Sequence, residues 1–546
     1  MYKFKVSIIF LIVTLHFKLS WTLWPIPAQI TSGSDLVLLS PNFTFSSNLD
    51  TIPPDLASAL IRTKTHLFND KLGRLTLDRG ASDITSSSST RKHPATLHSL
   101  QFFVGETHNI PKGVKDISEE AILKLEDRNE EYSLYLPANG TDAVLRARTT
   151  LGILRGLTTF EQLWYTWDGQ VYAINAPIEI LDKPVYRYRG FSLDTARNFY
   201  PVSDVKRTLD AMSWVKLNTL YWHVVDSQSF PLEVLEFPEL SQKGAYSKEQ
   251  VYSGEDVQEI INYASERGID VVLELDTPGH ETAIGLSHPE HIACYLASPW
   301  STYANEPPAG QLRLASANTK KFSVELIKSV SSKFPSSLFS TGGDEVNTNC
   351  YNDDEQTQAD LRAANISLDE ALNQFILAEH EVIREQGKTP IVKEDMILRH
   401  NTTLPNSTIA VVWISSNDAK SVVQKGYRII HQPSNYFYLI YSFDPLANLS
   451  EEEGSLVLGG QIPLWSEQSS PSNLDSIVWP RAAAAAEVFW TGGVSVVNGV
   501  SVPLNLSTAL PRLHEERFRM VHRGVNAIPL QPLWCALRPG LCDLNS

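Results

Sequence analysis

Eight short runs rich in β-branched and aromatic residues recur along the last two thirds of the chain, mostly separated by segments long enough for helices. A strand–helix alternation repeated in this way over about 340 residues is typical of a (β/α)8 barrel, which spans about 200 to over 400 residues. A doubly wound open sheet is the main alternative, but no G-x-G-x-x-G or G-x-x-x-x-G-K-[ST] loop follows any run. The sequence therefore predicts an α/β TIM barrel. The runs are Tyr188–Leu193, Thr219–Val225, Ile269–Leu275, Leu338–Thr341, Thr389–Val392, Ile409–Ile414, Tyr427–Ile430 and Leu456–Leu464.

The part of the chain before these runs has a different pattern. Alternating segments such as 131–136 indicate strands, and the spacing of apolar residues within 142–163 indicates a helix. The total of 546 residues is several times the roughly 100 to 150 of a typical domain. We therefore expect a small α+β domain over residues 21–183, followed by the barrel over residues 184–546.

The charge balance limits the classes of partner. The chain has 62 acidic and 46 basic residues and a formal net charge of -16. Such a surface repels phosphate backbones and lacks a basic stripe for nucleic acid. We expect neither nucleic acid nor a membrane anchor among its partners.

The N-terminus and the sequons indicate the secretory pathway. Lys3 and Lys5 precede an apolar run, 6–15, that is shorter than the about 20 residues of a spanning helix, so residues 1–20 are predicted to be a signal peptide. An uncleaved anchor is the alternative. Seven N-x-S/T sequons agree with this destination. Their asparagines are Asn42, Asn139, Asn365, Asn401, Asn406, Asn448 and Asn505.

The four cysteines form neither a C-x-x-C pair nor a zinc-type spacing with histidines. Two disulfides are expected. Pairing by proximity along the chain would join Cys294 to Cys350 and Cys535 to Cys542.

Polar side chains follow nearly every predicted strand. Taken singly, an aspartate after a strand is often only a helix N-cap. Active sites of barrels lie at the carboxyl ends of the strands, so this many carboxylate, imidazole, guanidinium and aromatic groups predict one shared pocket. The strand-end residues are Asp194 and Arg197; His223 and Asp226; Asp276 and His280; Asp344 and Glu345; Glu394 and Asp395; Trp413; Tyr438; and Trp465 with Glu467.

Two chemistries could use such a pocket. A metal site is one, but no H-x-H or H-E-x-x-H spacing delivers several ligands from one element. Glycoside hydrolysis is the other, since it needs a proton donor, a second charge and aromatic faces for a sugar ring. The pair Asp344 and Glu345, with Trp413, Trp465 and Tyr438, meets that need. We expect no cofactor and no metal.

Four motifs occur in a fixed order along the chain. They are Trp222–Asp226 (Trp-His-Val-Val-Asp), Asp276–His280 (Asp-Thr-Pro-Gly-His), Gly342–Glu345 (Gly-Gly-Asp-Glu) and Trp479–Glu487 (Trp-Pro-Arg-Ala-Ala-Ala-Ala-Ala-Glu). Together they resemble the β-N-acetylhexosaminidases of glycoside hydrolase family 20, and the motif sequences are most similar to those of fungal secreted members. The resemblance extends from Leu23 to the C-terminus and implies an α+β domain followed by a catalytic barrel.

The resemblance assigns roles to the pocket residues. Glu345 matches the general acid, and apolar surroundings or a like charge would help it to keep its proton near neutral pH. Asp344 matches the residue that binds the 2-acetamido N–H, and Tyr438 the one that hydrogen-bonds the acetamido carbonyl, which acts as the nucleophile. The other matches are sugar-hydroxyl residues Arg197 and Glu467, pocket walls Trp413 and Trp465, and residues around the acid, namely His223, Asp226, Asp276 and His280.

Two departures from the family pattern bear on activity. Lys393 stands where the family has a tryptophan that helps to enclose the acetamido methyl group. Its ammonium either points to solvent or lies beside the acetamido pocket, and in the second case we expect Lys393→Trp to raise kcat/KM. After Tyr438 and Leu439, Ile440 replaces the family's aspartate and a longer loop is missing. An exon omitted from the gene prediction would explain the loop but not Lys393.

The resemblance implies a retaining enzyme that removes terminal non-reducing GlcNAc or GalNAc from chitooligosaccharides or glycoconjugates. The alternative is a glycan-binding homologue with impaired catalysis. The expected partner is an N-acetylhexosamine-containing glycan, and a homodimer remains open. The expected location is extracellular, or the lumen of a vacuole or lysosome.

Overall fold

The computed structural model describes residues 22–84, 94–105, 113–400, 402–434, 441 and 443–542. The predicted signal peptide, Asn401 and Tyr438 lie outside these residues. The strands are β1 (Gln29–Ser47), β2 (Ala95–Val104), β3 (Tyr132–Leu136), β4 (Ala143–Ala147), β5 (Tyr165–Trp167), β6 (Gln170–Asp182), β7 (Tyr188–Asp194), β8 (Thr219–His223), β9 (Asp270–Glu274), β10 (Ile292–Ala293), β11 (Gln311–Leu312), β12 (Leu338–Ser340), β13 (Thr389–Lys393), β14 (Ile409–Val412), β15 (Arg428–His431), β16 (Val457–Leu464), β17 (Val494–Val497) and β18 (Val500–Pro503).

The helices of the N-terminal part and of the barrel connections alternate with these strands. They are Pro54–Asn69, Ile117–Ala121, Thr150–Glu161, Val202–Trp214, Pro238–Gly244, Gly254–Ser265, Trp300–Tyr303, Ala317–Ser332, Thr348–Asp353, Glu355–Ala364, Leu368–Glu385, Asp395–Leu398, Asp418–Val423, Glu451–Gly454, Leu474–Val478, Arg481–Thr491, Leu506–His522 and Leu533–Ala536.

The N-terminal region is an α/β domain built on a mixed sheet in the order β18-β17-β1-β2-β4-β3-β6-β5. The long strand β1 pairs with β6 in its first half, antiparallel, and with β2 in its second half, parallel. The apolar face of helix Thr150–Glu161 packs on this sheet, and Thr149 caps the helix by accepting a hydrogen bond from the Gly152 N–H. The hairpin β17–β18 comes from the segment that the sequence analysis gave to the barrel domain, and β17 pairs in parallel with β1.

Eight parallel strands close into a barrel in the order β12-β13-β14-β15-β16-β7-β8-β9, so the predicted TIM barrel is confirmed. One end of the barrel interior is filled by a small apolar cluster that includes Tyr188, Val272, Ile391 and Ile430. Polar side chains replace this cluster near the carboxyl ends of the strands, where the active sites of such barrels lie. The site is therefore built on the rims of the strands, above a packed core.

The covalent features agree with the sequence analysis. Both expected disulfides are present, Cys294–Cys350 and Cys535–Cys542. The sequon asparagines within the described residues, six in number, are all exposed. No helix among the described residues is both long enough and apolar enough to cross a membrane.

Candidate active site

A sharp turn directly after β12 carries the two central carboxyl groups. Neighbouring side chains of an ideal strand point to opposite faces, so Asp344 and Glu345 can share one site only if the backbone turns. Gly342, Gly343 and Glu345 have φ angles of +59°, +90° and +58°. A Cβ atom on Gly342 would lie 2.0 Å from Asp276 Oδ1, so glycine is required there for space as well as for conformation. The Gly-Gly-Asp-Glu motif thus encodes this turn.

Asp344 is buried and keeps one oxygen free. Its Oδ2 atom lies 3.6 Å from the Nζ atom of Lys393, while Oδ1 is buried without a hydrogen-bond partner among the described residues. Burial by itself would raise the pKa of Asp344, but the ammonium of Lys393 and the imidazole of His280 outweigh it and lower the pKa. A hydrogen bond with Asp276 also lowers the pKa of Asp344. Asp344 is therefore a carboxylate, and no N–H or hydroxyl group of the described residues donates to its Oδ1 atom.

Asp276 has the opposite protonation state. Burial and the neighbouring charge of Asp344 raise its pKa well above the usual range, which favours the protonated acid. Its Oδ1 atom accepts a hydrogen bond of 2.8 Å from the Gly343 N–H. Asp276 thus fastens the turn that holds Asp344 without adding a second negative charge.

Glu345 lies at the end of a hydrogen-bonded chain of buried groups. Its Oε2 atom is 3.4 Å from His280 Nε2, and the side chain is 28% exposed. His280 Nδ1 bonds Asp226 at 3.1 Å, and Asp226 bonds His223 Nε2 at 2.7 Å. The chain ends where His223 Nδ1 meets Glu274 at 2.8 Å. Glu345 is thus oriented from within and still open to solvent.

His223 is held as an imidazolium. Burial lowers the pKa of this side chain, but the hydrogen bonds to Asp226 and Glu274 outweigh burial and raise the pKa to about 10. On distance alone, His223, Asp226 and Asp276 are close enough to surround a metal ion. An imidazolium with both nitrogens bonded to carboxylates has no lone pair to offer, so this set does not suit a metal.

Lys393 is part of the site and does not point to solvent. It is the last residue of β13 and only 1% exposed, and its Nζ atom lies 3.2 Å from Glu274 Oε1. The same ammonium lies 5.1 Å from the ring centroid of Trp465. Of the two positions considered from the sequence, the structure shows the one beside Asp344.

Arg197 joins the site through the acids around it. Its guanidinium contacts Asp194 at 3.2 Å, Asp226 at 3.0 Å and Glu306 at 2.6 Å. Burial opposes its charge, but these acids and the exposed Glu467 raise its pKa. The ring of Trp465 lies near two cations, with Arg197 Cζ at 5.2 Å and Lys393 Nζ at 5.1 Å from its centroid.

Trp413 is half-buried and its indole N–H donates to Asp395 Oδ2 at 2.8 Å. This hydrogen bond fixes the orientation of the Trp413 ring. Of the eleven side chains to which the family resemblance assigns roles, the structure brings together ten, and the eleventh, Tyr438, lies outside the described residues. Their assigned roles remain predictions.

Two residues of the site were missed from the sequence. Glu274 lies inside the barrel, where it accepts hydrogen bonds from Tyr221 and from Ser340, the latter at 2.8 Å. An acidic residue inside the apolar run Val271–Leu275 was an available signal for a buried charge. Glu306 comes from a loop, and its sequence context offered no signal.

A TIM barrel with adjacent carboxyl groups at the carboxyl ends of its strands and aromatic side chains in the same site suits a glycosidase, and the comparisons with known proteins agree. The family model described as glycosyl hydrolase family 20, catalytic domain, matches residues 186–445 and 440–493. The model described as beta-acetyl hexosaminidase like matches residues 23–163. The chain belongs to glycosyl hydrolase family 20 and is a glycosidase of the β-N-acetylhexosaminidase type.

Individual relatives give the same result. A beta-hexosaminidase of Arthroderma benhamiae is 35% identical over 463 residues, which cover 76% of this chain and 74% of the relative. A chitooligosaccharidolytic beta-N-acetylglucosaminidase of Bombyx mori is 34% identical over 458 residues, or 76% of this chain and 75% of the relative. The solved structure of a Flavobacterium johnsoniae chitobiase matches with a TM-score of 0.72 at 25% identity, covering 92% of this chain and 73% of that one. The family resemblance found in the motifs is confirmed.

Proposed function

We propose that this glycosidase removes terminal non-reducing GlcNAc or GalNAc from chitooligosaccharides or glycoconjugates by a substrate-assisted retaining mechanism. The observation that carries the proposal is the different surroundings of the two carboxylate oxygens of Asp344. One oxygen is neutralised by Lys393, and the other is buried and free to accept a hydrogen bond. A buried acceptor without a partner costs free energy, and the N–H of a 2-acetamido group would satisfy it.

In this mechanism the acetamido carbonyl oxygen attacks C1 while the glycosidic C–O bond breaks. Glu345 gives its proton to the leaving oxygen, and the substrate becomes an oxazolinium ion with its positive charge near Asp344. Water then attacks C1 and gives a proton back to Glu345, which reopens the ring and restores the acetamido group. The partial exposure of Glu345 suits both proton transfers.

The name of the Bombyx mori relative supports chitooligosaccharides as one substrate class. The described walls of the pocket, Trp413 and Trp465, offer aromatic faces against which a pyranose ring can pack. GlcNAc and GalNAc differ only in the orientation of the C4 hydroxyl group. Arg197 and Glu467 are expected to bind this hydroxyl and so to set the preference between the two sugars.

The test compares two p-nitrophenyl glycosides that differ only at C2. We expect turnover of the β-GlcNAc glycoside, and neither turnover nor competition from the plain β-glucoside, because the glucoside lacks the internal nucleophile. Comparable turnover of both would contradict the substrate-assisted mechanism. Tight binding of a GlcNAc-thiazoline without turnover of either would indicate the glycan-binding alternative.

We also propose passage through the secretory pathway, to the cell exterior or to the lumen of a vacuole or lysosome. Six exposed sequons and two disulfides support this proposal. Treatment of the native protein with peptide N-glycosidase should lower its apparent mass. A native protein whose mass does not change would contradict this location.

A further inference from the structure

We propose that Lys393 is a positioning residue, which holds Asp344 as a carboxylate and directs its free oxygen toward the substrate amide. This inference rests on the proposed function of Asp344, and it assigns to Lys393 a part in the reaction at that site. It also reverses the effect that the sequence alone predicted for this ammonium.

Lys393 is tied to the Asp344 turn at two points. Its backbone N–H donates to the Gly342 carbonyl oxygen at 2.8 Å, so strand β13 is bonded directly to the turn. Its Nζ atom lies 3.6 Å from Asp344 Oδ2. The contact at Oδ2 leaves Oδ1 as the oxygen without a partner, and the side of the carboxylate that meets the substrate is therefore set by Lys393.

The position of the ammonium is itself determined by Glu274. Glu274 lies 3.2 Å from Nζ, and it is fixed by hydrogen bonds from Tyr221, Ser340 and His223. A flexible lysine side chain would otherwise have several rotamers to choose from. With a carboxylate of Glu274 and one of Asp344 both within 4 Å, the ammonium is held in place and remains charged.

The burial of Asp344 and the charges around it explain why this carboxylate needs a neighbouring cation. Asp344 is buried among groups of both signs, and without a cation nearby a buried carboxyl takes up a proton. Lys393 is the foremost of the charges that favour its ionised form, followed by His280. The titratable groups that face Asp344 are Lys393 from β13, Glu274 from β9, Asp276 and His280 from the loop after β9, and Asp395 from the helix after β13.

A protonated Asp344 could still hydrogen-bond an amide, but it could not balance the charge of an oxazolinium ion. Loss of the Lys393 charge should therefore weaken the binding of a GlcNAc-thiazoline most at acidic pH. An opposite charge at this range lowers the pKa of an aspartate. Without that charge, the acid limb of the pH profile of thiazoline binding should move to higher pH.

The experiment measures the Kd of a GlcNAc-thiazoline, and kcat/KM for p-nitrophenyl β-GlcNAc, from acidic to neutral pH. Lys393→Met removes the charge and keeps an unbranched side chain, whereas Lys393→Arg keeps the charge. We expect the acid limbs of the pH profiles of Kd and of kcat/KM to move to higher pH in Lys393→Met. In Lys393→Arg both limbs should stay near their wild-type positions. Lys393→Gln replaces Lys393→Met if the methionine variant does not fold, with the same expectation.

A second comparison isolates Asp344. In an Asp344→Asn background, Lys393→Met should leave the acid limb of thiazoline binding unchanged, because the group through which Lys393 acts no longer titrates. A uniform loss of affinity at every pH, or a shift that persists in the Asp344→Asn background, would overturn the inference. Because binding is measured apart from turnover, a chain that binds the analogue but hydrolyses nothing would contradict the proposed activity alone.

Discussion

The Nε2 atom of His280 lies 3.4 Å from the Oε2 atom of Glu345. His280 is buried and its other nitrogen is bonded to Asp226, so the imidazole approaches Glu345 in one fixed orientation. Glu345 itself has a left-handed backbone conformation, which is unfavourable for a residue other than glycine. Such strain is found where a function depends on it, and here it places the proposed acid at the mouth of the site.

Replacement of Glu345 by glutamine should lower kcat by roughly 10²-fold or more for substrates with poor leaving groups, the usual effect of losing a general acid. Aryl glycosides with good leaving groups need less protonation and should lose less. Steady-state kinetics on a series of aryl β-GlcNAc glycosides measure the difference. The exposed Glu385→Gln is the matched control and should behave as wild type. An equal loss on all substrates would contradict the assignment of Glu345 as the acid.

Lys393→Trp should lower stability and activity, although the sequence alone suggested a gain in kcat/KM. The ammonium is not an excess charge, because Glu274 and Asp344 both pair with it. Removing one partner of a buried ion pair costs about 3 to 5 kcal/mol. Urea unfolding and kcat/KM for p-nitrophenyl β-GlcNAc, compared with Lys393→Arg, measure the two effects. A folded Lys393→Trp variant with a higher kcat/KM would contradict this prediction and would support the gain expected from the sequence.

The ion pairs of His223 should make stability depend on pH in the neutral to alkaline range. The folded-state pKa of about 10 lies above the unfolded value of about 6.5, so the imidazolium stabilises the folded chain fully below the lower value. This contribution, on the order of 5 kcal/mol, is lost as pH rises through the folded-state pKa. The difference in unfolding free energy between wild type and His223→Gln should therefore shrink toward pH 10. A difference that does not change with pH would show that His223 is neutral in the folded chain.

The disulfide Cys294–Cys350 should contribute to both stability and substrate binding. It closes a loop with a sequence separation of 56, against 7 for Cys535–Cys542, so chain entropy predicts losses of about 4 and about 2.5 kcal/mol. Within the larger loop lies Glu306, which pairs with Arg197. We expect the Cys294→Ala, Cys350→Ala double variant to raise KM, and the corresponding Cys535, Cys542 variant to leave KM unchanged. Equal KM values in the two variants would contradict the link to Arg197.

Most of the fold followed from patterns that need no knowledge of distant contacts. Each of the eight predicted barrel strands is present, because β-branched runs between helical segments are a local property. The pairing of hairpin β17–β18 with the N-terminal sheet was not predicted, because it depends on contacts that are distant along the chain. Its pairing with β1 joins Val496 to Gln29, and no local pattern records a partner so far away along the chain.

In the site, too, some features follow from local patterns and others depend on distant contacts. Strand ends and four short motifs named its polar residues, since the carboxyl ends of parallel strands must meet. The protonation states were not predictable in this way, because Asp276 and Asp344 are the same residue type with opposite pKa shifts. Their difference comes from which charges lie within a few ångströms, and that depends on the closed barrel.

Lys393 shows most directly which properties follow from the sequence and which depend on the tertiary structure. The sequence by itself determined the barrel, the family and the presence of a lysine at the end of β13. Only the tertiary structure decided which groups surround that lysine, because β9 and the turn after β12 bring Glu274 and Asp344 to within 3.2 and 3.6 Å of its ammonium. Electrostatic interactions fall off with distance and depend on burial, and both quantities are properties of the packed chain.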